Sequence, residues 1–490
     1  MSSLSKADVQ NVLKIIKELY LRDNTPWICG YSGGKDSTAV VQLVWSALMQ
    51  LPEDQRRKTV HVINTDTLVE SPVAARWAAN SIHCMQQVAL DDQNRLPIVT
   101  HILKPVVTNT FWVNLIGRGY PFPRSNFRWC TDRLKIDPSN RFIQGILDSE
   151  GEAIIVLGSR KAESAARKAV MEGYEKKRYH EYLSPNGSFP NSYVFTPIES
   201  WLNDNVWQYL VQYSNPWGCS NKDLLAMYSG ASSDGECPLV IDTSTPSCGN
   251  SRFGCWVCTM VTEDKSMAAM IRNDEEKAWM LPMLKFRNEI SAGGDLARDR
   301  ARRDFRRMDG TLTPYNGRLV HGPYTQKTRE DFLRRLLEVE KLVHEIGPEE
   351  TRNIPLITME ELRLIRKIWL DEKHEFEDSL PRIYKEVTGC TYDDGNISKN
   401  KYFGAFESKI LYDACYDFDK YETLLPSLLH ALLDIEAKAS AISNKRNVII
   451  NFEHEIKKAF YRNEDDAEHI AVTREIRIEE KISSIEDFVE

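Results

Sequence analysis

The sequence lacks most marks of a secreted, membrane-bound or free-standing nucleic-acid-binding chain. Its opening residues, MSSLSKADVQ, have no basic stretch followed by an apolar run, so no secretory signal is expected. The most apolar stretches, such as STAVVQLVWSALM, are too short to span a bilayer and are flanked by charge. An excess of positive charge is missing too: 63 Lys and Arg face 71 Asp and Glu, for a formal net charge of -8. Dedicated nucleic-acid binders are usually basic, because phosphate neutralisation supplies most of their affinity. The balance argues against that class and leaves room for an enzyme with a local basic groove or a basic partner. Ten cysteines in 490 residues are too few for a disulfide scaffold. There is no internal repeat and no low-complexity tract. What remains is ordinary globular stock, 42% hydrophobic and 27% charged, enough for roughly two to four domains. A soluble cytoplasmic protein without membrane contact is expected.

The first part of the chain alternates strands and helices. Residues 5–22 read as an amphipathic helix, WICGY (27–31) as a strand and DSTAVVQLVWSALMQ (36–50) as a helix. TVHVIN (59–64) is a second strand, and SPVAARWAANSIHCMQQVAL a helix with Pro72 in its first turn, where the missing N–H costs little. IVTHIL (98–103) and AIIVLGS (153–159) are further strands. Such alternation, with continuous apolar strands, predicts a parallel sheet covered on both faces. KKRYHEYLSPNGS (176–188) reads as a mobile loop near the active edge, with basic residues that can touch DNA or nucleotide. From about Trp217 the texture becomes rich in Gly, Ser, Pro and Cys, and after Thr262 it becomes helical and charged. The expected blocks are therefore 1–215, 216–262 and 263–490. Within the last, LARDRARRDFRRMDG (296–310) is basic but interleaved with Asp295, Asp299, Asp304 and Asp309, which favours a solvated helix face over a DNA groove.

The strongest chemical signal is YSGGKDST (31–38), placed where a strand ends and a helix begins. Ser32, Gly33 and Gly34 can bend sharply and bare their backbone N–H groups, which with the helix N-terminus form an anion cradle. Lys35 adds a point charge, Asp36 a carboxylate, and Ser37 and Thr38 add hydroxyls. The glycine pair precedes Lys35 with no upstream partner, so this is neither a Walker A loop nor G-x-G-x-x-G. Three further segments end strands or open helices. NTDTLVES (64–71) offers Asp66 for Mg²⁺ or a nucleotide hydroxyl, or else Asp66 and Glu70 as turn and cap residues. RSNFRWCTDRLKIDP (124–138) surrounds Cys130 with Arg124, Arg128, Arg133 and Lys135, cations that favour a thiolate; a half-buried structural Cys is the alternative. In GSRKAES (158–164), Gly158 opens the turn, Arg160 can clamp a phosphate, and Glu163 with Ser164 can orient it, unless they merely cap a helix.

Cys237, Cys248, Cys255 and Cys258 form a C-x10-C-x6-C-x2-C pattern in a polar stretch. Four thiolates can hold a [4Fe–4S] cluster or Zn²⁺; a single close pair, where zinc ribbons usually have two, favours iron–sulfur.

S-G-G-K-D-S, D-T with a following Glu, R-x-C-T-x-x-L-K and G-x-R-x-x-E-S, in this order, resemble the ATP-pyrophosphatases that include phosphoadenylylsulfate (PAPS) reductase. That resemblance implies an adenine nucleotide alpha hydrolase-like (Rossmann-like) α/β fold, with ATP cut between its α and β phosphates. It also places Ser32, Gly33, Gly34, Lys35, Asp36, Ser37, Asp66, Gly158, Arg160, Glu163 and Ser164 around ATP and Mg²⁺. With GECPLVIDTSTPSCGNSRFGCWVCTM and the charged helical tail included, the whole chain is similar to the DndC family, the sulfurtransferase-type component of bacterial DNA phosphorothioate modification. This second resemblance implies a [4Fe–4S] cluster on Cys237, Cys248, Cys255 and Cys258. Cys130, among its basic neighbours, is expected to carry the sulfur as a persulfide and not to be a ligand, with the cluster as the alternative carrier or as a support for the Cys-rich loops. Lys35, Asp36, Cys130 and Arg160 would be the catalytic residues. The implied partners are DNA, reached through a complex, a cysteine desulfurase as sulfur donor, and the companion proteins DndD and DndE. Two related families remain as alternatives. PAPS reductases typically end in E-C-G-[IL]-H, where this sequence has KISSIEDFVE. In tRNA thiolases the cluster Cys lie within the catalytic domain as C-x-x-C plus one distant Cys. A non-catalytic scaffold is the reading from a different class, opposed by the intact loop.

Overall fold

The computed structural model describes residues 4–91, 94–124, 127–232, 253–352, 354–393, 404–419, 423–440 and 447–489. Cys237 and Cys248 lie outside them. The chain forms two compact units: residues 1–106 with 124–287, and residues 107–123 with 288–490. The expected blocks 1–215 and 216–262 fall in the first unit together with the start of the third, except that 107–123 crosses to the second.

The first unit opens on α1 (Lys6–Arg22), whose N-terminus is closed reciprocally: Asp8 N–H donates to Ser5 Oγ, and Ser5 N–H to the Asp8 carboxylate. Then come β1 (Trp27–Gly30), α2 (Lys35–Met49), β2 (Val60–Thr65), α3 (Pro72–Leu90) and β3 (Ile98–Leu103). After the excursion to the second unit the chain returns with the short turn α4 (Trp129–Thr131). A π turn (Asp132–Ile136) runs from it into α5 (Asp137–Glu150). β4 (Ala153–Val156), α6 (Ala165–Glu175), β5 (Leu183–Pro185), β6 (Ser192–Phe195), α7 (Asn203–Gln212), α8 (Asn221–Gly230), α9 (Lys265–Asn273) and α10 (Leu281–Ile290) follow.

The sheet order is β3-β2-β1-β4-β6-β5, parallel throughout except for β5 against β6. Side chains alternate between its faces. Trp27, Cys29, Val60, Val62, Ile154 and Val156 join one core, while Ile28, Ile63 and Ile155 join another with Ile143 of α5. Both faces are covered, as the continuous apolar strands predict. The 176–188 segment is more than a loop, since Leu183–Pro185 pairs antiparallel along the sheet edge. Pro185 is tolerated there because an edge strand needs fewer ladder donors. The chain order reverses between β1 and β4, which places a crevice at the carboxyl ends of those two strands.

Buried amides tie α8 to this frame. Asn221 Nδ2 donates to Gln42 Oε1 on α2 (3.1 Å), to Leu210 O (2.9 Å) and to Tyr213 O (3.0 Å). Gln42 Nε2 donates to Tyr213 O (2.9 Å) and Ser214 O (3.0 Å).

The second unit is mainly helical: α11 (Leu296–Arg300), a two-stranded hairpin of β7 (Pro314–Tyr315) and β8 (Arg318–Leu319), then α12 (Gln326–Ile346), α13 (Met359–Asp371), α14 (Ser379–Thr388), α15 (Ala405–Phe418), α16 (Leu425–Ser440), α17 (Val448–Lys458) and α18 (Glu464–Val489). The 107–123 excursion is anchored by indole bonds, Trp112 Nε1 to Leu356 O (2.7 Å) and Trp369 Nε1 to Ile116 O (3.0 Å). The basic run 296–310 is neither a long solvated helix face nor an open groove. Only Leu296–Arg300 is helical. Asp299 is buried and receives Tyr324 Oη (2.6 Å) and Arg303 (3.2 Å), while Asp304 receives Arg306 (2.8 Å). The interleaved aspartates bind the arginines inward and shape the turns. Among the described residues, no helix is long and apolar enough to cross a membrane.

Asn221→Ala is expected to destabilise the first unit by about 2 kcal/mol, because it removes the donor to the buried Gln42 amide oxygen and to the Leu210 carbonyl. Chemical denaturation followed by tryptophan fluorescence checks this; an unchanged midpoint would show that the buried amides contribute nothing.

Candidate active site

The phosphate loop lies where the sheet order reverses. Tyr31 N–H, just past β1, donates to Ile63 O of β2 (2.8 Å), and Asn64 Nδ2 donates to Tyr31 O (2.8 Å), so the loop starts from a fixed base. Gly33 has φ +74°, a conformation that side chains resist, and a Cβ there would meet Ala78 at 2.9 Å. Its carbonyl accepts Trp77 Nε1 (3.0 Å). Ser37 Oγ sits inside the turn, 3.2 Å from both Ser32 N and Ser32 Oγ, and donates to Gly34 O (3.0 Å). Gly34 caps α2 without a side-chain bond, so the N-terminus of this 15-residue helix keeps the backbone donors that an anion takes.

The loop after β4 closes against it. A Cβ on Gly158 would stand 2.9 Å from the carbonyl carbon and oxygen of Asp36 and 3.1 Å from Ser37 N, which only glycine avoids. Arg160 is 4% exposed, so it does not present its guanidinium as the open phosphate clamp expected from sequence. Its Nε donates to Asp36 Oδ1 (2.6 Å) and its Nη1 to Trp201 O (3.3 Å), while Lys35 Nζ pairs with Asp36 Oδ2 (3.0 Å). Arg160 therefore holds Asp36 from behind the loop. Glu163 and Ser164 take the capping alternative: Glu163 accepts Arg160 N–H (3.0 Å) and Arg167 Nη1 (2.5 Å), and Ser164 Oγ accepts Arg167 N–H (3.1 Å) at the start of α6. Asp66, at the end of β2, accepts Leu68 N–H (2.9 Å) in a tight turn and lies 3.8 Å from Lys104. Its side chain remains partly exposed at the carboxyl end of β2.

The CWVC turn is fastened to the segment that follows β2. Cys255 bridges Glu70 in antiparallel fashion, with Trp256 N–H donating to Val69 O (3.0 Å) and Ser71 N–H to Gly254 O (3.2 Å). Trp256 and Val257 are buried, so the two middle residues of CWVC anchor the turn and Cys255 and Cys258 flank it. Thr67 Oγ1 lies 3.4 Å from Cys255 Sγ and donates to Glu70 (3.0 Å). Lys135, half exposed, pairs with Glu70 (3.2 Å), and the charge of Glu70 together with the Cys255 and Cys130 sulfurs outweighs desolvation and raises its pKa. Burial and Glu70 push the Cys255 thiol up to about 12.

Cys130 does not have the low pKa that its basic neighbours suggest in sequence. Burial and the nearby Cys258 raise it, and Lys135 is committed to Glu70. The structure thus brings Cys130 into the electrostatic reach of Cys258, two thiols separated by 127 intervening positions in the chain. Thiols on tight turns suit soft metals such as those of iron–sulfur clusters. Among the described residues, no three His, Cys, Asp or Glu side chains converge on one metal ion.

Sequence reasoning missed two residues here. Arg287 on α10 is fully buried and gathers the carbonyls of the loop after CWVC: Cys258 O (2.6 Å), Thr262 O (2.7 Å) and Val261 O. Burial lowers its pKa. The signal was available, since Arg287 follows buried Met280 and Met283 at helical spacing and is thus a charge on an apolar face. Tyr228 on α8 is the other: its hydroxyl accepts Lys35 N–H (3.4 Å), and no pattern in the sequence announces it.

Gly158→Ala is expected to weaken nucleotide binding by at least about tenfold while leaving the fold intact, because misplacing a binding group by a fraction of an ångström is costly. Calorimetric titration with ATP checks this, and wild-type affinity would mean that the two loops adjust freely.

Residues 26–217 match the phosphoadenosine phosphosulfate reductase domain family. An uncharacterized protein of Methanocaldococcus jannaschii is 25% identical over 210 residues, covering 42% of this chain and 36% of that protein, so the likeness spans about a third of the relative. Among solved structures, the phosphoadenylyl-sulfate reductase of Candida auris in its phosphate complex is similar at 16% identity, with a TM-score of 0.26, over 43% of this chain and 88% of its own. The U34-tRNA thiolase NcsA of Methanococcus maripaludis, solved with its [4Fe-4S] cluster, is similar at 14% identity, with a TM-score of 0.27, over 45% of this chain and 72% of its own. What residues 26–217 build is a PAPS reductase-like domain.

Proposed function

We propose that this protein is a DndC-type ATP pyrophosphatase and sulfurtransferase of the cytoplasm that takes part in DNA phosphorothioate modification. One observation carries the reading: the phosphate loop and the cysteine pair hang from adjacent parallel strands. The loop follows β1, and Cys255 bridges Glu70 just past β2. Neighbouring strands are about 5 Å apart, so an activated phosphate and a sulfur donor share one sheet edge.

A non-bridging phosphate oxygen of DNA is a poor leaving group. It attacks the α-phosphorus of ATP, pyrophosphate departs, and the oxygen becomes the bridge of a mixed phosphoanhydride with AMP. The cradle of Ser32 to Ser37 and Lys35 stabilises the charge that develops on the phosphates, and Asp66 would hold Mg²⁺, since both oxygens of Asp36 are taken by Arg160 and Lys35. A persulfide sulfur carried on Cys130, supplied by a cysteine desulfurase, then attacks the DNA phosphorus and AMP leaves. A second thiol attacks Cys130 Sγ, which leaves the transferred sulfur on phosphorus and a disulfide for a cellular thiol to reduce. Cys255 and Cys258, with Cys237 and Cys248, would hold a [4Fe–4S] cluster, which supplies either sulfur handling or a fixed shape for the thiol loops. DndD and DndE would supply DNA recognition, in keeping with a net charge of -8.

A second reading keeps the activation chemistry and changes the nucleic acid. Cys130 beside the Cys255-x2-Cys258 pair is one distant Cys plus C-x-x-C, the pattern typical of tRNA thiolases.

Purified protein with Mg²⁺ is expected to release AMP and pyrophosphate from ATP, with Lys35→Ala and Asp36→Ala below about 1% of that rate. ADP and phosphate as products would overturn the assignment. Anaerobic preparations are expected to contain iron, and Cys255→Ser or Cys258→Ser to lose it, because ligand binding contributes to folding. Stoichiometric zinc without iron would refute the cluster. In cells carrying the complete system, Lys35→Ala should abolish phosphorothioate dinucleotides, detected by mass spectrometry of digested DNA, and leave thiolated tRNA bases unchanged. The reverse outcome selects the tRNA reading.

A further inference from the structure

Tyr228 stands between the phosphate loop and the cysteine segment. Its hydroxyl accepts Lys35 N–H at 3.4 Å, one of the donors that the first turn of α2 leaves without a helical partner. A Cβ on Gly34 would lie 3.2 Å from that hydroxyl, and Lys35 Nζ sits 5.6 Å from the ring centroid. The ring packs edge-on against Phe253 (4.9 Å, 89°) and Trp207 (5.1 Å, 79°). Phe253 is two residues before Cys255, in the stretch that Ser71 N–H and Trp256 N–H stitch to the end of β2. Burial pushes the Tyr228 pKa up to about 12, so the group at the loop is a neutral hydroxyl.

We propose that Tyr228 is a positioning residue that reports occupancy of the phosphate loop to the cysteine segment. Its hydroxyl takes the place of a phosphate oxygen at Lys35 N–H and gives way when nucleotide binds. This rests on the reading that the loop holds ATP. A 3.4 Å bond from an amide to a neutral oxygen is weak, whereas a phosphate offers a charge-assisted acceptor, so nucleotide wins the donor. The displaced hydroxyl moves a ring packed against Phe253. A close-packed interior passes such a shift on to its neighbours rather than absorbing it. The nucleotide thereby gains a differential interaction with two positions of the Phe253–Cys258 segment, which any ligand-driven change requires. Sulfur chemistry then becomes competent when ATP is in place.

The test is hydrogen-exchange mass spectrometry on the full chain, with and without a non-hydrolysable ATP analogue, beside calorimetry of analogue binding. In the wild type, the analogue should change the exchange of amides 69–71 and 253–258. Tyr228→Phe keeps the ring and removes only the hydroxyl. It should match the wild type without nucleotide, bind the analogue at least as tightly, and show no response in 253–258. Phe253→Leu keeps the hydroxyl and removes the edge contact; it should bind normally and also lose the response. A wild-type response in either variant overturns the proposal, as does analogue binding by the wild type with no change in 253–258. Affinity lost by about tenfold or more in Tyr228→Phe also overturns it, since the hydroxyl would then be a ligand of the phosphate. If the wild type binds no analogue, the calorimetry shows that the nucleotide reading itself has failed and takes this inference with it.

Discussion

One carboxylate held between two cations organises the site. Asp36 meets Arg160 on one oxygen and Lys35 on the other, and so locks the loop after β4 to the loop after β1 across the point where the sheet order reverses. Arg160 is almost wholly buried, and a buried guanidinium without its carboxylate would be an uncompensated charge. Gly158 adds a steric condition, because the two backbones approach closer than any side chain permits. The cradle is therefore a product of two loops far apart in sequence. Its geometry depends on the Asp36 carboxylate facing both cations.

The sheet and the loop were legible because their signals are local. Continuous apolar runs between helical repeats announce buried parallel strands, and a glycine pair between a strand and a helix announces an anion site. What was not legible depends on contacts across the fold. Cys130 looked like an activated thiol because its sequence neighbours are cationic, yet burial and a thiol from another segment decide its protonation. Arg160 looked like a phosphate clamp, but its carboxylate partner is 124 positions away. The strand β5 escaped because three residues ending in proline carry no periodicity. Likewise, the run 296–310 read as a solvated face because its aspartates are local but the burial of Asp299, reached by Tyr324 from 25 positions away, is settled only in three dimensions.

The same locality explains how the cysteine segment is held. CWVC alone specifies only a turn. Its placement comes from backbone pairing to the end of β2, from Trp256 and Val257 sinking into the core, and from Arg287 collecting three carbonyls beneath it. A hydrogen-bonded cation thus does for this loop what a regular helix or strand does elsewhere: it satisfies backbone groups that would otherwise face the interior unpaired.

Arg287 also sets an ionic-strength regime. Mobile salt screens exposed charges over a distance of about 8 Å at physiological strength but reaches buried pairs far less. A guanidinium that water does not touch therefore keeps its hold on the carbonyls of the adjoining loop almost equally in dilute and concentrated salt. Contacts between exposed charges and a polyanion, by contrast, weaken steeply as salt rises. The shape of this turn and any encounter at the exposed surface around it are thus governed by different properties of the surrounding solution.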